Sequence, residues 1–341
     1  MADRIPSLDG MRAVSIALVI ASHAQISLPF VWRFNYGNIG VRVFFVISGF
    51  LITKLLFQEH ANTGRISIPQ FYLRRAFRIL PAAYVYLVIV TVLIPFGMHA
   101  MYGEIAPAVL YYANYKYSSG SIATGHFWSL SVEEQFYFLW PAVLVLSGPR
   151  RARYACLALL VVAPAFRVLS DLGIWSTNPE YAFESVCDAL ATGCLLAMLR
   201  GRLWELKFYR TVVNTPCAIA IVGAGVLLTS ADSPALLHDV AGIPLLNVGI
   251  AVCIDRYTRR SDDTALGRVL NWPLIAWIGT VSYSLYLWQQ AWMFSRLPPL
   301  IAVGGAIGSA AASFYLIERP MLRVRGRVST MLKQSALAIQ A

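Results

Sequence analysis

Charge is what this sequence has least of. Only 13% of its 341 residues are Asp, Glu, Lys or Arg, roughly half of the ~25% usual in soluble domains. With 58% hydrophobic residues and a mean hydropathy of +0.61, that scarcity excludes an ordinary soluble domain and marks a membrane protein. Extramembrane structure is scarce too: the longest polar intervals, near 58–77, 171–181, 200–210 and 256–270, are too short for a separate domain. Cysteine offers neither a metal centre nor a disulfide framework. Cys156, Cys187, Cys194, Cys217 and Cys253 are odd in number, lack metal-ligand spacing and lie in or beside apolar runs, where a thiol reads as a small buried hydrophobe. Acids are fewer than bases, 17 against 28, for a net charge of +11. The bases stand in short clusters between apolar runs, so they read as membrane topology with a local anion site, not as a nucleic-acid surface.

What is present is a succession of apolar runs of the ~17–25 residues that cross a bilayer, near 11–31, 37–57, 78–97, 128–147, 154–170, 182–199, 211–229, 239–255, 272–294 and 300–317. A further piece, 105–119, is short, contains Pro107, Asn114 and Lys116, and reads as re-entrant or interfacial. The expected fold is therefore all-α, a polytopic membrane helix bundle of about ten transmembrane helices. Ten crossings gather the bases near 74–78, 150–153, 200–210, 256–268 and 319–327 on one side, leaving Arg33, Arg42, Lys116, Arg167 and Arg296 on the other side or within spans. The positive-inside rule then puts both N- and C-termini in the cytoplasm. The first run ends in Ser22-His23-Ala24, a passable cleavage site, but few bases precede it and further spans follow, so it reads as a retained helix.

Inside these runs the few ionisable groups stand out, because charge at membrane depth is costly and usually faces a protein interior or a wet cavity. In DGMRAVSIALVIASHAQI, eleven helical steps of about 100° return His23 to the face of Arg12, roughly 16 Å along the axis. The pair reads equally well as a helix-end anchor with a bundle histidine, or as a path from one surface to a reactive centre. Arg74, Arg75 and Arg78, in PQFYLRRAFRILP, stand at the expected entrance of the third span. Helix N-termini and guanidiniums suit phosphate; retention of topology and contact with anionic lipid is the plainer alternative. In HFWSLSVEEQFYFLWP, Glu133 and Glu134 point about 100° apart, so at least one faces a polar interior. His126 shares the Glu133 face about two turns away, close enough to line the same cavity. Gly40, Ser48 and Gly49 let a neighbouring helix approach, while Phe44 and Phe45 can line a cavity. WIGTVSYSLYLWQQAW is rich in hydroxyls and amides, from Ser282 to Gln290.

Taken in order, IPSLDGMRAVSIALVIASHA, NIGVRVFFVISGFLITKLL, FYLRRAFRILPA, HFWSLSVEEQFYFLWP, VSYSLYLWQQ and YLIERP resemble acyltransferase family 3, the integral-membrane acyltransferases; the blocks run from residue 5 to 320. The resemblance implies a core that takes an acyl group from cytoplasmic acyl-CoA, acetyl-CoA or another, and passes it to a carbohydrate hydroxyl. It places the family's first-span arginine and histidine on Arg12 and His23, its paired arginines on Arg75 and Arg78, its acidic motif on Glu133 and Glu134, and its acid near the last span on Glu318. Many members read YLWH where this chain has Tyr286-Leu287-Trp288-Gln289, so a histidine role there is absent or replaced.

The expected catalytic group is His23, as general base or transient acyl carrier, with Arg12, Glu133 and Glu134 around it. The expected donor-binding group is Arg74, Arg75, Arg78 and Glu318. No metal is expected. Residues 1–320 read as the membrane acyltransferase domain and 321–341 as a basic cytoplasmic tail, a core-only arrangement without an extracytoplasmic hydrolase-like domain. Such a core transfers directly to its acceptor or works with a separate extracytoplasmic partner or a second copy. The expected activity is transfer of an acetyl or related short acyl group to a cell-envelope or exported glycan, in a bacterial inner membrane. Acylation of a small glycosylated metabolite or lipid-linked signal molecule is the alternative among enzymes, and a ten-span transporter the alternative outside them, though no internal repeat supports it.

Overall fold

The computed structural model describes residues 5–24, 33–116, 122–295 and 297–328; Arg296 and residues 329–341 of the expected tail lie outside the described residues. Among the described residues there are helices and no strand: α1 (Pro6–His23), α2 (Tyr36–Thr63), α3 (Ile68–Leu93), α4 (Tyr102–Val109), α5 (Phe127–Asp171), α6 (Phe183–Val186), α7 (Asp188–Glu205), α8 (Lys207–Asn214), α9 (Cys217–Leu228), α10 (Ala235–Leu237), α11 (Ile243–Arg259), α12 (Ala265–Leu270), α13 (Pro273–Thr280), α14 (Ser282–Met293) and α15 (Pro299–Ser313). Two π-helical turns, His238–Gly242 and Phe314–Glu318, carry the chain into α11 and out of α15.

Five helical stretches are each long and apolar enough to cross a membrane: Tyr36–Thr63, Ile68–Phe96, Phe127–Asp171, Ala235–Arg259 and Pro299–Val328; α8 and α9, bent by 79°, pass the same test together. At 45 residues, α5 is about 68 Å of helix, twice the ~30 Å hydrocarbon core. It is broken at Gly148, whose φ of 70° is left-handed and open to glycine, and Pro149 follows without an N–H to donate. The arms 127–147 and 149–171 match the expected runs 128–147 and 154–170. Helices α1 and α7 miss the apolar criterion because they carry Asp9 and Arg12, and Asp188, Arg200 and Arg202; α13 and α14 are interrupted at Val281.

Close approach, not bulk, seats these helices. A Cβ on Gly49 would lie 2.0 Å from the Leu190 carbonyl oxygen, and one on Gly193 2.1 Å from that of Val46, so α2 and α7 meet backbone to backbone. Gly40 faces the Ser15 carbonyl of α1 in the same way.

Several boundaries differ from expectation. Helix α1 starts at Pro6, where a proline needs no N–H partner, and ends at His23, so the histidine is the last helical residue and not mid-run. Helix α3 starts at Ile68, with Pro69 in its first turn. The expected 58–77 loop thus shrinks to 64–67, and Arg74, Arg75 and Arg78 sit two to three turns inside a helix, away from its free N–H groups. The 105–119 piece is α4 plus the 3-10 turn Ala113–Tyr115. Four cysteines are buried, but Cys217 is exposed.

Candidate active site

Three cavities follow one another through the bundle. The first, about 80 Å³, is lined by Arg12 from α1, Phe44, Phe45 and Ser48 from α2, Arg75 and Arg78 from α3, Glu133 from α5, and Tyr286 from α14. Arg12 is braced by Asp9 at 3.4 Å, one turn back. Glu133 accepts hydrogen bonds from Ser48 and from Tyr137, and the Arg75 guanidinium lies over the Tyr137 ring at 4.3 Å, a cation–π contact. The carboxylate thus holds the ring on which an arginine rests. Glu318, in the π-turn packed against α3, is buried and accepts a hydrogen bond from Ser284.

The second cavity, about 100 Å³, is lined by His23, Ser22, Asn35, Asn38, His126, Glu180 and Gln290. It shares Val41 and Tyr286 with the first. Each histidine is held by one of two successive glutamines of α14. His23 Nδ1 is 2.8 Å from Gln289 Oε1, and Gln289 is fully buried. With Nδ1–H donating to that oxygen, the neutral ring presents a bare Nε2. For His126 the assignment is fixed by a third atom. Gln290 Oε1 accepts the His126 backbone N–H at 2.8 Å and so must be the oxygen, and it lies 2.6 Å from His126 Nδ1. Nδ1 therefore carries the proton, and Nε2 is buried without a hydrogen-bond partner. Tyr286, which closes the seam between the cavities, is tied to Ser129 at 2.5 Å and to the His126 carbonyl at 3.3 Å.

The third cavity is larger, about 540 Å³, and is lined by Asn35, Asn38, Arg42, Arg167, Asp171, Glu180, His238 and Asp239, among others. Its floor is an ion network within the bundle: Asp188 pairs with Arg42 at 3.4 Å and with Arg167 at 3.0 Å, and Arg167 reaches Asp239 at 3.9 Å.

Of the residues expected from sequence, Arg12, Arg75, Arg78 and Glu133 come together in the first cavity, and His23 lines the second. Arg74 is not brought there; it pairs with Glu59 at 2.5 Å. Glu133 and Glu134 divide: Glu134 lines neither cavity, and its Oε1 is buried with no hydrogen-bond partner. Neither acid orients His23; Gln289 does. His126 and Glu133 line adjacent cavities, not one. Gln289 and Gln290 were legible only as polar residues at an odd place, the former where other members carry histidine.

A helical membrane protein with a guanidinium-lined cavity joined to an imidazole-lined one is the class these features define. Comparison with known proteins narrows it. The acyltransferase domain of acyltransferase family 3 matches residues 5–318, and the chain belongs to that family of integral-membrane acyltransferases. It is 32% identical to a protein of Bacillus subtilis (strain 168) named "putative peptidoglycan O-acetyltransferase", over 94% of this chain and 55% of that one. It is 28% identical to the peptidoglycan O-acetyltransferase of Listeria monocytogenes, over 92% of this chain and 54% of the other. The chain spans about half the length of these curated relatives. No solved structure matches it.

Proposed function

We propose that this protein transfers an acetyl or related short acyl group from cytoplasmic acyl-CoA to a hydroxyl of a cell-envelope or exported glycan, with His23 at the point of transfer. The observation that carries the reading is the seam at Val41 and Tyr286, where the cavity of Arg12, Arg75 and Arg78 abuts the chamber of His23. Coenzyme A is rich in phosphate, which guanidiniums bind as a fork, and its pantetheine arm is long and thin enough to enter a helix bundle. Arg75 and Arg78 hold phosphate at the entrance, and Arg12 steadies the arm. Passing Tyr286, the arm brings its thioester to His23.

There His23 Nε2 takes the proton of the acceptor hydroxyl while Nδ1–H stays bonded to Gln289. The hydroxyl oxygen forms the ester bond, the C–S bond breaks, and the imidazolium returns its proton to the departing thiolate. The same bare Nε2 serves a route in which it first forms an acyl-imidazole and the alcohol then displaces it. The topology belongs to this reading: α1, α2, α3, the two arms of α5, α7, α8–α9, α10–α11, α13–α14 and α15 make ten crossings, with the arginine cavity toward the cytoplasm.

The decisive experiment follows labelled acetyl-CoA with the purified chain. His23→Ala should lower turnover at least about 100-fold with thermal stability retained; a variant keeping half the wild-type turnover removes His23 from the mechanism. Orientation is tested with single cysteines in a background lacking the native five. Positions in 98–104, 171–181 and 230–238 should react with a membrane-impermeant thiol reagent in intact cells. Those in 58–68 should react only after the membrane is opened, and the reverse pattern inverts the protein.

A further inference from the structure

The third cavity is far larger than a proton path or an acyl arm needs, and it falls within the ~300–1,000 Å³ of small-ligand sites. Each guanidinium on its lining already faces a carboxylate: Arg42 and Arg167 are paired with Asp188, Arg167 also lies 3.9 Å from Asp239, and Arg33 is 3.3 Å from Asp232, so an incoming anion would compete with a carboxylate at each. Its rim, by contrast, offers hydrogen-bonding groups. Asp171 and Glu180 are exposed carboxylates on the lining. Asn38 Oδ1 accepts a hydrogen bond from Arg42 Nε at 2.9 Å, which leaves its NH2 group as the available donor. Asn38 and Glu180 also line the His23 chamber, so they stand at the doorway between the two spaces. The Glu180 segment is anchored there: its backbone N–H bonds Asn178 at 2.9 Å, and Tyr181 packs on Trp128 with ring centroids 4.9 Å apart.

We propose that this outer cavity is the acceptor subsite, that it binds an uncharged, polyhydroxylated sugar segment, and that Glu180 and Asn38 orient the reacting hydroxyl toward His23. The inference rests on the acyl-transfer reading and adds to it a place and a chemistry for the acceptor. Carboxylates and amides match sugar hydroxyls, which donate and accept, whereas the exposed Glu180 carboxylate repels an acidic sugar. A hydroxyl held at the doorway reaches His23 Nε2 from the side opposite the acyl arm, which keeps thioester and alcohol apart until both are bound.

The test uses the full chain in detergent with triacetylchitotriose as neutral probe and trigalacturonic acid as anionic probe. Binding is followed by saturation-transfer NMR, and chemistry by acetyl-CoA hydrolysis and transfer. Chitotriose should bind the wild type and trigalacturonic acid should bind far more weakly. Glu180→Gln and Asn38→Ala should each weaken chitotriose about tenfold, with the KM for acetyl-CoA unchanged. Ala235→Trp, at an exposed position on the lining, should block the sugar while sparing hydrolysis. Absence of chitotriose binding, equal binding of the anionic trimer, or unchanged affinity in all three variants overturns the proposal. Because binding is measured without acetyl-CoA, failure of the acyl-transfer reading, seen as no hydrolysis or transfer by the wild type, is separate from failure of the subsite.

Discussion

The two cavities that meet at Tyr286 are furnished with opposite kinds of side chain. On one side are guanidiniums and a carboxylate, braced by Asp9, Ser48 and Tyr137. On the other are two imidazoles, three amides and the Glu180 carboxylate, with no lysine or arginine on the lining. Full charges suit the job of holding a charged donor, since ionised hydrogen bonds are the stronger ones. Neutral imidazoles with one nitrogen committed to an amide suit the handling of a proton, because the tautomer is set before substrate arrives. In the proposed acyl transfer the two cavities separate binding from transfer, and the separation can be measured as a split between KM and kcat.

The largest effect should come from the amide that holds His23. Gln289→Leu removes the oxygen 2.8 Å from Nδ1 and frees the ring to rotate or change tautomer. We expect kcat to fall about 100-fold with the KM for acyl-CoA unchanged, by steady-state kinetics over a full donor titration. A rise in KM with intact kcat would erase the division between the chambers.

Changes on the arginine side should do the reverse. Arg75→Ala and Arg78→Ala should each raise the KM for acyl-CoA about tenfold, more at low salt, where phosphate attraction is less screened. Lysine at either position should restore only part of the affinity, lacking the bidentate fork. Unchanged donor affinity in both alanine variants would return these residues to contact with lipid headgroups.

How much of this could be read from sequence depends on which physical signal each residue carries. Helical periodicity put Arg12 and His23 on one face, and both line the connected cavities. Small residues announced the close approach at Gly40 and Gly49. The division between Glu133 and Glu134 was undecidable because a helical step separates neighbours without saying which neighbour meets which helix. The i,i+3 spacing put Arg75 and Arg78 on one face and both line the first cavity, whereas Arg74, grouped with them from sequence, is taken by Glu59 on another helix. Gln289 and Gln290 have no charge and no motif of their own; their meaning lies in the imidazoles opposite, more than a hundred residues away in the chain. The sequence separated the runs 128–147 and 154–170 at the polar segment 147–153, where the structure carries one helix kinked at Gly148.

The smallest effect should separate residues that build the arginine cavity from one that merely stands next to them. Ser48 donates to Glu133 beside the Tyr137 hydroxyl, which donates to the same carboxylate, so Ser48→Ala removes one of two donors from the carboxylate and loosens the ring under Arg75. A hydrogen bond of this kind contributes about 0.5–1.5 kcal/mol, so the KM for acyl-CoA should rise only about two- to tenfold, with kcat untouched. Arg74→Ala, which breaks a partly exposed pair with Glu59, should change neither constant, as such pairs contribute little. The two variants are best measured side by side in one donor titration. If Arg74→Ala raised the KM more than Ser48→Ala, the donor would be meeting the outer surface of α3, and the cavity beneath Tyr286 would lose its claim to the acyl arm.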